Sequence, residues 1–480
     1  MGLAQEGAIF ISSRFMEHVN RILLLMASAV GYAFAFPPFG WWPLALLSVG
    51  VLVGFLRTAL PMHGLVAGFG WGMLAFGTGL SWIWNIFGPL SILLWGILSF
   101  YPAIFGWLVC MAKQHGIKAG WQLAFFVALA WTGTEFVRCE LMPLKFPWMN
   151  LGLALDPWPL ASWIGVYGLG FVAAWMMAAL VTRRFRLAAL LMTGTLLGWL
   201  IEFTLFKVPE ISVTIIQAET APLNTYLALS RQAPAHTRLI VWPEYAVPKD
   251  VRRSDAGELT AIQDLTISSK ALLVFGTQTR LGGAKWQNTA LAVNDGVIIG
   301  EHGKNHTVHL FDDGESGPTA AAFEATIGED NIAPSFRGKI GTPICFDCDF
   351  QDVVRHMVLD GAEFLAVPSM DTASWSAKQH IQHAQLFRVR AAENRRCMVV
   401  AASSGVSQII DQNGRATASL GAMKQGVLSG TISPITMLTP FTRWGWLTPW
   451  IALAALSIWT AKLLAFSKPK MPQPVAVSQD

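Results

Sequence analysis

Seven long apolar runs crowd the first 206 residues of this 480-residue chain, and an eighth follows a polar stretch of about 230 residues. Nothing else in the sequence restricts its fold as strongly. A segment needs about 20 predominantly apolar residues to cross the hydrocarbon core. The runs fall at about 22–38, 41–57, 64–84, 89–112, 119–137, 158–181 and 187–206, then at about 445–466. With 53% hydrophobic and 13% charged residues, the chain is excluded from the ordinary soluble class. The expected order is a membrane domain over 1–206, a water-facing domain over 207–440, and a last span with its tail over 441–480. No small-residue cleavage site follows the first run, where the chain reads FPPFGWWPL, so a cleavable signal peptide is not expected.

Basic residues orient the spans. With the N-terminus inside, Arg14, Arg57, Lys113, Lys118, Arg183, Arg184, Arg186, Lys468 and Lys470 all fall on the inner side. The outer loops around Pro37 and Phe87 carry no Lys or Arg. That bias puts the domain between spans seven and eight outside the cytoplasm. The net charge of +4 is used up by this topology and calls for no nucleic acid.

The water-facing region alternates short β-rich runs with helical ones. Strands are expected at 211–219, 238–244, 271–278, 289–295, 296–302, 339–346, 362–369, 397–404 and 407–414, and helices at 349–360 and 377–395. This pattern predicts an α/β sandwich with its site at strand ends.

Three polar residues follow such runs: Glu244 in VWPEYAVP, Lys304 in IIGEHGKNH and Cys345 in TPICFD. Singly, each reads as a turn residue or a small packed side chain. Together they supply what acyl transfer through a thiol requires. These are a base for the thiol proton, a positive group for the oxyanion, and the nucleophile. The run after Cys345 predicts a helix capped by Asp347 or Asp349, whose N-terminus would lower the thiol pKa. Cys345 and Cys348 form a Cys-x-x-Cys pair, which also fits a redox dithiol or half a zinc site. Against zinc, no second Cys-x-x-Cys exists and Cys397 stands alone. Against a dithiol, Glu244 and Lys304 would have no task. His380 and His383 invite a metal reading, but no partner motif accompanies them. Glu135 and Arg138 stand three apart near a span end, as an ion pair or a functional pair. Trp82, Trp84 and Trp148 suit either a lipid entrance or belt anchoring.

WPEYA, GKNH and ICFD, in that order behind seven spans, resemble the apolipoprotein N-acyltransferase family, the membrane-embedded branch of the nitrilase superfamily. FPPFGWWPLALL, WTGTEFVR, FPWMNLG, QHAQLFRVRAAENRR and SSGVSQIIDQNGR extend the likeness over nearly the whole chain. The resemblance implies a multi-span α-helical membrane domain with an inserted αββα nitrilase-like sandwich. It implies Glu244 as general base and acid, Lys304 as oxyanion stabiliser, Cys345 as nucleophile and the Phe346 N–H as a second oxyanion donor. Asp312, Asp347 and His383 take supporting places. It also implies ping-pong acyl transfer from a phospholipid to the N-terminal diacylglyceryl-cysteine of a lipoprotein, at the outer face of a bacterial inner membrane, with no cofactor and no metal. A membrane-tethered amidase, or a paralogue acylating another amine, is the alternative. The sequence departs from the family pattern where Asp312 and Asp347 stand in place of Glu, with Glu315 three residues past the first. It departs again in SMDTASW, which keeps Asp371 and a shifted Trp375, and in a short segment between Gln217 and Glu244.

Overall fold

The computed structural model describes residues 2–117, 120–156, 158, 160–201, 210–219, 221–253, 257–308, 311–318, 320–328 and 335–465. Lys118, Lys468 and Lys470, counted above for orientation, lie outside them, as do 202–206 and 466 at two span ends.

Every predicted apolar run contains a helix. They are α1 (Gly2–Phe34), α2 (Pro43–Leu56), α3 (Pro61–Gly79), the short α4 (Ile83–Phe87), α5 (Leu90–Gln114), α6 (Trp121–Phe136), α7 (Ala161–Val181) and α8 (Phe185–Ile201). Three segments are long and apolar enough to cross a membrane: Leu90–Gln114, Ala161–Val181 and Gly445–Ala465. Pro43–Leu56 and Phe185–Leu197 are apolar but shorter. At 1.5 Å per residue the 14 residues of α2 reach only about 21 Å. Helices α3 and α5 pack closely because Gly64, Gly68 and Gly72 recur every fourth residue on the shared face. A Cβ at Gly68 would run into the Pro102 carbonyl, so small residues set this approach. A π-helical turn, Val137–Leu141, ends α6 and turns Arg138 inward.

The water-facing part begins with β1 (Ile211–Gln217), α9 (Leu223–Ser230), β2 (Leu239–Val241), α10 (Glu258–Ser269), β3 (Leu272–Gly282), β4 (Lys285–Asn294) and β5 (Val297–Gly303). It continues with β6 (Phe323–Ile327), β7 (Phe336–Gly341), α11 (Asp352–Leu359), β8 (Ala362–Ser369), α12 (Ala377–Asn394), β9 (Met398–Ala402), β10 (Ser407–Ile410), β11 (Ala416–Leu420) and β12 (Gly426–Ile432). Two six-stranded sheets form, ordered β12-β1-β2-β3-β4-β5 and β11-β10-β9-β8-β7-β6. The central strands β1-β2-β3 and β7-β8-β9 run parallel. Val213, Val241 and Val274 face Ile340, Phe364 and Val399 across the sheets. Outside, Ile262 and Leu265 cover one sheet, while Val354, Met357 and Phe387 cover the other. Buried on both faces, the central strands read as continuous apolar runs. The result is the predicted αββα sandwich. After it come α13 (Pro440–Arg443) and α14 (Thr448–Ala465).

Helix α12 joins the two parts. Lys378, Gln382, Gln385 and Glu393 recur near the helical period and bond into the membrane part. The Lys378 ammonium donates to Thr78 O at 2.7 Å, and the Gln382 amide donates to Pro37 O and Gly79 O at 3.0 and 3.1 Å. The Gln385 amide donates to Leu153 O at 3.2 Å, and Val166 N–H donates to Glu393 Oε1 at 2.8 Å. A buried polar face needs partners; here loop carbonyls and the kink of α7 at Gly165 supply them.

Candidate active site

Glu244 stands three residues past β2, Lys304 directly after β5, and Cys345 four residues past β7, so all three gather at strand ends. Gly276 on β3 lets the Glu244 backbone come close, since a Cβ there would lie 2.5 Å from Glu244 Cα. Tyr245 and Cys345 both have positive φ, 53° and 46°. Two side-chain-bearing residues in this sparsely populated region, both at one site, mark stored backbone strain.

Lys304 Nζ lies 2.8 Å from Glu244 Oε1 and 2.7 Å from Asp313 Oδ2, with all three side chains buried. The Asn288 amide bridges the carboxylates, donating to Glu244 Oε1 at 2.6 Å and to Asp313 Oδ1 at 2.8 Å. Tyr245 OH donates to Asp313 Oδ1 at 2.7 Å. Glu244 Oε2 is buried and has no partner among the described residues. Burial, then the neighbouring Asp313 charge, pushes the Glu244 carboxyl up against the pull of Lys304. Burial disfavours charge on Lys304, but Glu244, Cys345 and Asp313 outweigh it and hold the ammonium charged. Burial likewise raises Asp313, and Lys304 reverses that to leave it below the usual carboxylate range.

Several expectations need correction. Asp312 is exposed, and its neighbour Asp313 is the carboxylate paired with Lys304. Glu315 lies at the surface, 3.4 Å from Lys285. No helix begins at Asp349: a 3-10 turn, Cys345–Asp349, intervenes, and α11 starts at Asp352. The thiol is therefore not lowered by a helix end. Burial and the Glu244 charge push Cys345 well above the usual thiol range, with Lys304 opposing.

Asp347 is fully buried and ties two loops together. It accepts from Asn305 N–H and His306 N–H at 2.9 and 2.8 Å, and from Ile344 N–H at 3.0 Å. The loop behind Lys304 is thus fixed to the turn that carries Cys345. Phe346 follows Cys345 in that turn and lines the same cavity as the thiol. Cys348 packs among Val353, Val354 and Phe387 as a free thiol. His383 places Nδ1 at 2.8 Å from Asp371 Oδ1 and Nε2 at 3.2 Å from Asp349 Oδ1, the second an ion-pair contact off the hydrogen-bond line. Burial opposes its charge, but Asp371 and Asp349 prevail and raise His383 to about 10. Asp371 in turn is held low by His383 against its own burial.

A cavity of about 280 Å³ opens over Cys345. Glu244, Lys304, Cys345 and Met370 form its floor, while Trp82, Ile86, Phe87, Leu94 and Leu98 of the membrane part form a wall with Leu144, Phe146 and Trp148. Trp84, also weighed as a lipid entrance residue, is exposed and stacks on Trp95 away from the lining. Glu135 and Arg138 do not reach the site. Their carboxylate and guanidinium lie 3.9 Å apart, Glu135 accepts from Leu151 N–H, and Arg138 donates to Phe146 O and Trp148 O. They shape the loop that delivers Phe146 and Trp148.

Asn288, Asp313 and Tyr245 are not singled out by the sequence, and Asp349 enters it only as a helix cap. An Asn amid the apolar alternation of β4 was the available signal, because a buried amide must find partners.

Two family models divide the chain between them: "Apolipoprotein N-acyltransferase N-terminal domain" matches residues 28–179, and "Carbon-nitrogen hydrolase" matches 213–437. The chain belongs to the apolipoprotein N-acyltransferase family. A Vibrio cholerae family member, named apolipoprotein N-acyltransferase, is 26% identical over 88% of this chain and 93% of its own. One from Methylococcus capsulatus with the same name is 28% identical over 89% and 93%. Saccharomyces cerevisiae Nit3, described as a member of branch 10 of the nitrilase superfamily, overlays 48% of this chain and 93% of its own at 20% identity and TM-score 0.39. Family membership, together with helices of spanning length, makes the chain an integral membrane protein.

Proposed function

We propose that this protein is a phospholipid:apolipoprotein N-acyltransferase acting through a thioester on Cys345. One observation carries the reading: Cys345, Glu244 and Lys304 form the polar floor of a cavity whose apolar wall comes from the membrane part. An acyl chain leaving the bilayer fits such a wall. The relatives' shared name supports the acceptor.

Glu244, with an unpartnered Oε2 and raised basicity, takes the thiol proton as Cys345 Sγ attacks the donor's ester carbonyl. The Lys304 ammonium and the Phe346 N–H stabilise the oxyanion. Collapse breaks the C–O bond, Glu244 returns its proton to the glyceryl oxygen, and a lysophospholipid leaves. The α-amine of the diacylglyceryl-cysteine then attacks the thioester. The C–S bond breaks, Glu244 passes the amine proton to Sγ, and an amide forms. Asp313 fills the place expected of Asp312 and orients Lys304, while Asp347 and His383 hold the loops around the site. The architecture is read as eight spans, with domains over 1–206, 207–440 and 441–480. It is placed in a bacterial inner membrane with the catalytic domain on the periplasmic side, on the strength of the Lys and Arg bias.

Incubation with acyl-labelled phospholipid, followed by mass spectrometry, tests the reading. The label is expected on Cys345, stable until a diacylglyceryl-cysteinyl peptide is added, and absent in Cys345→Ala. Rapid release of free fatty acid without peptide would turn the reading toward the hydrolase. Full activity in Cys345→Ala would remove the thioester.

A further inference from the structure

A second cavity, of about 360 Å³, borders Glu244 and Met370 of that floor, while Lys304 and Cys345 line the first cavity. It shares Glu244, Tyr245, Asp312 and Met370 with the first, so the general base faces both spaces. The rest of its lining comes from the water-facing domain alone, including Glu219, Gln278, Trp286 and Thr372. Among its described lining residues none comes from the membrane part, and there is no Lys, Arg or His. Glu219, Glu244 and Asp312 give it three carboxylates. Glu219 also holds the neighbouring loop by accepting from Ala373 N–H at 3.1 and 3.2 Å and from the Ser404 hydroxyl. Asp312 is exposed, and the buried Glu244 Oε2 has no hydrogen-bond partner among the described residues. A recess bordered by three carboxylates with no cationic side chain among its described lining, one of them carrying an unpartnered oxygen, suits a cation that can donate hydrogen bonds.

We propose that this second cavity receives the acceptor's polar end: the α-ammonium and first peptide units of the lipoprotein N-terminus. The inference rests on the acyl-transfer reading above and assigns its second substrate a separate approach. The acyl donor enters from the membrane-lined cavity, which Cys345 borders, and the amine from the carboxylate-lined one, reaching the thioester past the shared residues Glu244, Tyr245, Asp312 and Met370. The incoming group is RNH₃⁺. One proton leaves it for solvent by way of Asp312 as the free amine forms. The nitrogen lone pair then forms the C–N bond, the C–S bond breaks, and the second proton passes through Glu244 to Sγ. One proton is released for each amide made.

The test uses the full-length protein in detergent. Binding is measured with a fluorescein-labelled S-glycerylcysteinyl tetrapeptide that lacks acyl chains, and with its N-acetyl counterpart. The two half-reactions are timed separately. The free-amine peptide is expected to bind at least tenfold more tightly than the acetylated one. Asp312→Lys is expected to remove that preference. Gln278→Trp, which fills only the second cavity, is expected to slow discharge of the thioester by peptide at least tenfold while the thioester forms from phospholipid at the wild-type rate. Equal binding of the two peptides, or unchanged discharge in Gln278→Trp, overturns the proposal. A Gln278→Trp protein slow in both half-reactions also overturns it, because the two spaces would not then be separate. If the wild type binds the free amine selectively yet forms no thioester, the cavity assignment stands and the acyl-transfer reading fails. A thioester without amine selectivity leaves acyl transfer standing and overturns the cavity assignment.

Discussion

The indole N–H of Trp148, carried by the membrane part, donates to Asp349 Oδ2 at 2.7 Å, and its ring stacks on His383 with centroids 5.8 Å apart. Asp349 closes the turn that begins with Cys345. Thus the loop shaped by Arg138 braces the turn that carries Cys345 across the boundary between the two parts.

Trp148→Phe keeps an aromatic surface and removes the donor. It is expected to cost about 1.5–3 kcal/mol, the range for a hydrogen bond to a charged group, and to slow thioester formation. Thermal unfolding in detergent and a timed acylation measure the two effects. A variant with both values at wild-type levels would show that the brace is not needed.

Lys304→Met leaves Glu244 and Asp313 buried with no cation between them. Removing one partner from a buried ion pair costs about 3–5 kcal/mol, so the melting temperature is expected to fall and acylation to disappear. Lys304→Arg should keep more of the stability than of the rate, because the planar fork does not reproduce the two-carboxylate geometry of the ammonium.

Asp313 and Glu315 separate the buried support from the exposed one. Asp313→Asn is expected to lower the acylation rate by about a hundredfold, on the scale of a misplaced catalytic group. Glu315→Gln is expected to leave it unchanged. Equal rates in the two variants would remove Asp313 from the site.

Gly276→Ala drives a methyl group toward Glu244 Cα. Moving Glu244 by as little as about 1 Å is expected to cost up to about a hundredfold in rate. Ordinary near-neutral stability together with a lost rate would separate this effect from unfolding.

His383, raised to about 10 by its two aspartates, gives stability a definite pH course. Its folded value lies above the unfolded histidine's value of about 6.5. Its contribution is therefore complete below about pH 6.5 and is lost as pH rises through about 10. Melting temperatures across that window should fall in the wild type and show a flatter course in His383→Gln.

The fold was legible where periodicity carried it. Apolar runs marked the helices, and doubly buried strands such as β8 read as continuous apolar runs. Strands β11 and β12, ATASL and GVLSGTI, carry no such signal, because β11 is small and largely exposed and β12 is only half-buried and interrupted by Gly430. Nor does β6, FEATI, whose alternation is too short to stand out. In the site, strand ends announced Glu244, Lys304 and Cys345. Choosing between Asp312 and Asp313 was beyond sequence, because adjacent residues point apart and only the loop's path decides which is buried. The expected helix dipole at Cys345 failed for a related reason. DCDFQD reads as a capped helix start, yet Asp347 spends its oxygens on the backbone of Ile344, Asn305 and His306.

Gln382 accepts from Trp82 Nε1 at 2.8 Å and donates to Pro37 O and Gly79 O. One amide in the water-facing part thus satisfies three points on two separate loops of the other part. Chimeras that graft this sandwich onto another member's helices must carry over those loop geometries as well as the sequence on either side of the join. The two halves are fitted to one another along α12, and a chimera is expected to fail at that fit even where the chemistry at Cys345 is kept.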